Sequence, residues 1–192
     1  MPIRLRQKDR KRITKAKDIY ELMQAVFLRA SKHDRNKEHF WVLGLKTDGV
    51  VSYIELVALG SVNKTFVNPM EVFSLALQKK CSRIILVHNH PSGNLIPSEE
   101  DLSITRWLFK AGLLLQVQVV DHLIITEESY TSLFDAGFIQ GDKLEAEADP
   151  QREASELRVA YSREEAKPCR MVRLSAKAEP ERQIFIGQRG SA

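Results

Sequence analysis

An α/β domain is what this 192-residue sequence predicts, and three stretches carry the prediction. Ile19, Leu22, Met23, Val26 and Phe27 recur at three- and four-residue spacing, the signature of a helix that buries one stripe. Residues 39–45 and 50–59 flank Thr47-Asp48-Gly49, a turn signal that joins two strands into a hairpin. The third stretch runs from Ser82 to Ile125. It opens with the apolar run Ile84-Ile85-Leu86-Val87, breaks at Pro91 and Gly93, and restarts as a helix after Pro97. That is a strand, a loop and a helix, with the loop at the mouth of a sheet.

Taken in order, the chain opens with a basic arm. Residues 1–17 carry a net charge of +7, residues 18–140 sum to −3 and residues 141–192 to zero, so the whole basic excess sits in the arm. It could contact nucleic acid phosphates through residues 4–17, a contact that salt would weaken, or it could be a solvated, disordered terminus. The first helix should run from Thr14, which suits its cap, to about Ser31. Polar residues 32–38 read as a loop, with His33 and His39 on the surface.

After the hairpin, Pro69 suits the first turn of a helix reaching about Lys80 and burying Val72, Phe73, Ala76 and Leu77. Cys81 should pack as a small apolar residue. Beyond the central loop, Leu102, Thr105, Trp107, Leu108 and Ala111 form the buried side of another helix, with Gly112 as its C-cap. Val117 and Val119, then Leu123, Ile124 and Ile125, suggest two closing strands with Asp121-His122 between them, and residues 129–138 close the domain. From Gly141 the charged fraction rises to about two-fifths and any period is interrupted, so residues 141–192 read as a weakly ordered tail. Leu157-x-Val159-x-Tyr161 and Ile184-Phe185-Ile186 could pair there as edge strands.

The composition sets outer bounds. A chain of this length holds one well-buried domain with something left over. It has no apolar run of membrane-spanning length and no signal-peptide pattern. Two distant cysteines, Cys81 and Cys169, give no disulfide framework and fit a reducing compartment, with the cytoplasm as the expectation.

Chemistry concentrates in His88-Asn89-His90-Pro91-Ser92-Gly93, followed by Ser98 and Asp101. On an extended strand residues i and i+2 point to one side, so His88 and His90 can offer imidazole nitrogen to one cation. Ser98 stands at a helix N-cap and Asp101 in the first turn. Two imidazoles and one carboxylate leave a tetrahedral zinc one open position, the arrangement of catalysis rather than of scaffolding. Ser98-x-x-Asp101 on its own also reads as a plain N-cap with an acid favoured by the helix dipole.

His88-x-His90-Pro91, with Ser98 and then Asp101, resembles the JAMM signature of MPN/JAB metallohydrolases. More narrowly, HNHPSGNLIPSEEDLSIT and the later DHLIIT resemble the bacterial RadC branch, over roughly residues 40–138. The literal string His-Asn-His is unrelated to HNH nucleases, whose naming residues are spread over a longer motif. The resemblance implies a three-layer α-β-α domain of the MPN/JAB, cytidine-deaminase-like kind, with a central mixed sheet over residues 18–140 and flexible extensions at both ends. It also implies a zinc-dependent hydrolysis of an amide or isopeptide bond. His88, His90 and Asp101 would be ligands. Glu55, a carboxylate inside an apolar run, would match the family's upstream glutamate, which takes a proton from water and passes it to the leaving group. Ser98 would donate a hydrogen bond to the oxyanion.

Alternatives stay open at several of these positions. Glu55 could be an outward-facing strand residue, and Glu71 is a second candidate base, although the helix dipole alone explains an acid in a first turn. Met70 stands where RadC proteins carry an arginine, which puts that arginine's role in doubt. His122, matching the family's Asp-His pair, should support the ligands or the fold rather than bind metal. The helix-hairpin-helix region at the front of many RadC proteins has no counterpart in these residues, so DNA binding by that route is not expected. A DNA-associated accessory module, linked to repair or to mobile elements and contacting nucleic acid through the basic arm, is the competing reading. In it the metal is structural or absent. Retention of all three ligands argues against an inactive scaffold.

Overall fold

The computed structural model of the protein describes residues 2–6, 9–60 and 67–140. They form β1 (Pro2–Ile3), α1 (Ala16–Phe27), α2 (Lys32–Arg35), β2 (Glu38–Leu45), β3 (Val51–Gly60) and α3 (Pro69–Gln78). β4 (Arg83–Asn89), α4 (Glu99–Leu114), β5 (Gln118–Ile125) and β6 (Tyr130–Ser132) follow. The strands make one mixed sheet in the order β1-β3-β2-β4-β5-β6, in which only the β4–β5 pair is parallel. A parallel pair needs a long crossover, and the loop after β4 together with α4 supplies it.

Alternation along β2 and β4 fills both faces of the sheet. Val42, Ile84 and Leu86 pack with Val72, Phe73 and Ala76 of α3 and Leu108 and Phe109 of α4 on one side. Trp41, Leu43, Ile85 and Val87 pack with Ile19, Met23, Val26 and Phe27 of α1 on the other. Three layers, helix on sheet on helix, result, as the resemblance implied.

Several expectations change in detail. The basic arm runs along the outer edge of β3: Pro2 and Ile3 pair with Glu55 and Ile54, Val51 N–H donates to Lys11 O, and Ile13 N–H donates to Gly49 O. Asp9 anchors it, buried between Arg6 and Arg29 (3.2 and 3.0 Å). Burial raises the Asp9 carboxyl's pKa, but the Arg6 bonds and Arg29 outweigh that and hold it at about 2. Residues 32–35, expected as loop, make the short helix α2, capped by Ser31. His33 is exposed as expected, whereas His39 is buried, stacked on Trp41 with ring centroids 5.0 Å apart.

Gly112 lies inside α4 rather than at its C-cap. Its reason is close approach: a Cβ there would meet the Val117 carbonyl oxygen at 2.4 Å. The two strands expected around Asp121-His122 are one continuous β5, because each polar side chain has a buried partner within the fold. No helix among the described residues is long and apolar enough to cross a membrane. Cys169 and the two segments expected to pair as strands in the tail lie outside the described residues.

Candidate metal centre

β4 delivers the histidines. His88 lies on the α3/α4 side of the sheet, its ring stacked on Phe40 across the strand pair (centroids 6.2 Å apart), and His90 follows on the same side just past the strand end. Asn89 between them points the other way. Its fully buried amide accepts from His39 N–H at 2.8 Å and donates to Lys37 O at 3.0 Å, tying the end of β4 to the start of β2.

The loop then turns at Gly93, whose φ of 79° favours glycine, and α4 begins with a reciprocal capping box. Ser98 Oγ donates to Asp101 Oδ2 (2.7 Å) and accepts from Asp101 N–H (3.1 Å), while Ser98 N–H donates to the same Oδ2 (2.8 Å). The cap does not compete with a ligand role for Asp101, since it aims the carboxylate at the histidines.

The three donors converge. His88 Nε2 lies 3.0 Å from His90 Nε2 and 3.1 Å from Asp101 Oδ1, and His90 Nε2 lies 3.4 Å from Asp101 Oδ2. Ligands bound at about 2.0–2.1 Å to a tetrahedral ion stand about 3.3–3.4 Å apart, so each of these contacts, two of them to different oxygens of the one carboxylate, is near the length that two ligands of one ion would have. His90 Nδ1 donates to the Asn94 carbonyl at 2.7 Å, which in the neutral ring leaves a lone pair on Nε2 aimed at His88. The donor set therefore fits a small divalent metal held by His88, His90 and Asp101, the cluster of metal-type side chains found among the described residues.

Electrostatics agree with the geometry. Burial raises the Asp101 carboxyl, but the adjacent His88 and His90 imidazoles and the Ser98 hydroxyl hold it well below the usual carboxylate range. The same carboxylate raises His90.

The chain matches the RadC-like JAB domain over residues 13–138. It belongs to that family. Relatives include a UPF0758 protein of Methanosarcina mazei, 38% identical over 134 residues, which is 70% of this chain and 56% of that one. A UPF0758 protein of Syntrophomonas wolfei is 38% identical over 130 residues, 68% of this chain and 55% of its own. Another, from Staphylococcus aureus strain NCTC 8325, is 37% identical over 132 residues, 69% and 58%. The chain thus spans little more than half the length of these relatives, and their names state no activity.

Within this RadC-like JAB domain the other expected site residues fall as follows. Glu55 faces the metal side: it stands opposite Val42, Val42 opposite Leu86 and Leu86 opposite His122, one row across four strands. It is half-buried and is not one of the three converged donors, its backbone lying two strand spacings, about 10 Å, from β4. Glu71 is exposed in the first turn of α3 beside the exposed Met70. Ser98 spends its hydroxyl proton on Asp101 rather than toward solvent.

His122 is fully buried with Nε2 2.8 Å from His88 Nδ1, so it backs His88 and is not one of the three converged donors. Burial, with the neighbouring His88 adding to it, pushes its pKa far below the ordinary histidine range. Thr105, read from the sequence only as part of a buried stripe, meets His122 Nδ1 at 2.6 Å. The available hint was its spacing, one helical turn after Asp101 on the buried side of α4.

Proposed function

We propose that the chain is a zinc-dependent metallohydrolase of the JAMM type, cleaving a peptide or isopeptide bond. One observation carries the reading: two imidazole nitrogens and one carboxylate, from neighbouring elements, converge with contacts of 3.0–3.4 Å at the mouth of the sheet. When bound, zinc would supply Lewis acidity, lowering the pKa of water toward neutrality and polarising a carbonyl.

The chain's own residues would do the rest. His88, His90 and Asp101 hold the ion, and Ser98 fixes the direction in which Asp101 presents its oxygens. Glu55, on the same face of the sheet, is the proposed base that takes a proton from water and delivers it to the departing amine. Ser98 can act as an oxyanion donor only by releasing Asp101. Buried Cys81 suits a reducing compartment, and we place the protein in the cytoplasm.

The test is zinc quantification followed by peptidase profiling. Wild type should hold one zinc per chain and His88→Ala none, while Glu55→Gln should keep zinc and lose turnover. Equal zinc in wild type and His88→Ala rejects the site, and full activity in Glu55→Gln rejects its role.

A second reading, nucleic-acid contact through the arm, is favoured by one observation. Arg4, Arg10, Lys11, Arg12, Lys15 and Lys17 are exposed on a segment fastened along β3. Duplex DNA binding that weakens with salt, disappears on removing residues 1–17 and is indifferent to Glu55→Gln would support it.

A further inference from the structure

Behind His88 lies a line of polar atoms that ends on the backbone of another ligand. His88 Nδ1 faces His122 Nε2 at 2.8 Å, His122 Nδ1 faces Thr105 Oγ1 at 2.6 Å, and Thr105 Oγ1 donates to the carbonyl oxygen of Asp101. His122 and Thr105 are fully buried, so water offers neither of them another partner.

The far end fixes the direction of every bond in the line. A carbonyl oxygen only accepts, so the single hydroxyl proton of Thr105 is committed to Asp101. Thr105 Oγ1 must then accept from His122, which places the His122 proton on Nδ1. A neutral His122 consequently presents a bare Nε2, and His88 must donate to it from Nδ1. His88 Nε2 is left with its lone pair facing His90 and Asp101.

We infer that Thr105 is a positioning residue for the metal: through His122 its hydroxyl holds His88 in the one neutral form that can bind a cation. The same hydroxyl grips the carbonyl of Asp101, so two ligands from different elements share one anchor. The effect on affinity rests on the metal reading above, whereas the direction of the bonds does not. Without the hydroxyl, the His122 Nδ1 proton loses its acceptor in a buried site, which is costly. Moving that proton to Nε2 would make His122 the donor and shift the His88 proton onto the nitrogen that faces the ion.

The test uses metal-free full-length chain, with imidazole tautomers read from two-bond ¹H–¹⁵N couplings at about pH 8, where ordinary histidines are neutral. Zinc affinity is then measured by chelator competition. Wild type should show His88 and His122 both as Nδ1–H. Thr105→Val, close in shape, should move His88 to Nε2–H and weaken zinc binding roughly 10- to 100-fold, the usual cost of losing such a partner. Thr105→Ser should restore both within about threefold.

An Nε2–H signature on either histidine of the wild type overturns the inference without any variant, so it stays open to refutation even if Thr105→Val does not fold. Thr105→Val with wild-type affinity and unchanged couplings also overturns it. Failure of the wild type to bind zinc counts instead against the metal reading, and the couplings still decide the direction of the bonds.

Discussion

Asp121 is a carboxylate where a β-strand would ordinarily bury something apolar, and its ionisation should be visible in the stability of the whole domain. Burial raises its pKa from 3.8 to about 6, helped by the nearby charge of Asp135 and opposed by hydrogen bonds from Ser132 and the His122 N–H. The folded state therefore binds a proton that the unfolded state has already released between about pH 4 and pH 6. Stability from this group is complete below the unfolded value and declines as pH rises through the window. Above about pH 6 the cost is constant. Each tenfold change in proton affinity between the two states is worth about 1.4 kcal/mol, so the full swing is about 3 kcal/mol.

Asp121→Asn removes the ionisation. Its amide fits the Ser132 and His122 bonds less well, but that cost is independent of pH, so the slope and not the intercept is diagnostic. Urea unfolding of both chains, metal-free, from about pH 4 to pH 7 should show the variant gaining about 3 kcal/mol on the wild type, nearly all of it below about pH 6. A gap that stays constant across that range refutes the assignment of a buried, charge-averse carboxyl to Asp121.

Two further outcomes follow from local geometry. Ser98→Ala removes the hydroxyl that both caps α4 and steers Asp101, so it should cost about 1 kcal/mol of stability and weaken zinc binding as well; unchanged zinc affinity in chelator competition would show that the carboxylate needs no such steering. Gly112→Ala would press a methyl group to 2.4 Å from the Val117 carbonyl, a backbone atom that cannot rotate away. Thermal unfolding should register a loss of roughly 1–3 kcal/mol, or failure to fold.

The convergence of His88, His90 and Asp101 was legible because its geometry is local. Two residues apart on a strand is one face, three residues after a cap is one turn, and both relations survive folding unchanged. The helices and the hairpin were legible for the same reason, to within a few residues at their ends. What resisted reading was set at a distance. Asp121-His122 looked like a break between strands because its partners, Ser132, Thr105 and His88, stand 11, 17 and 34 residues away. His39 looked like a surface residue, although Phe27 of α1 packs edge-on against its ring and its backbone partner is Asn89. Gly112 looked like a stop signal when its lack of a side chain serves a neighbouring carbonyl. The arm's pairing along β3 left no trace in a stretch dominated by charge.

Asn89 sits between the two histidines yet works on the reverse of the sheet, latched to Lys37 and His39. The separation of the two imidazoles is thus gauged from behind, by a segment that never sees the chemistry. Alterations around residues 37–39 should accordingly reach the candidate centre as a change in the spacing of the two imidazoles, and the underside of the sheet becomes the place from which that spacing can be tuned.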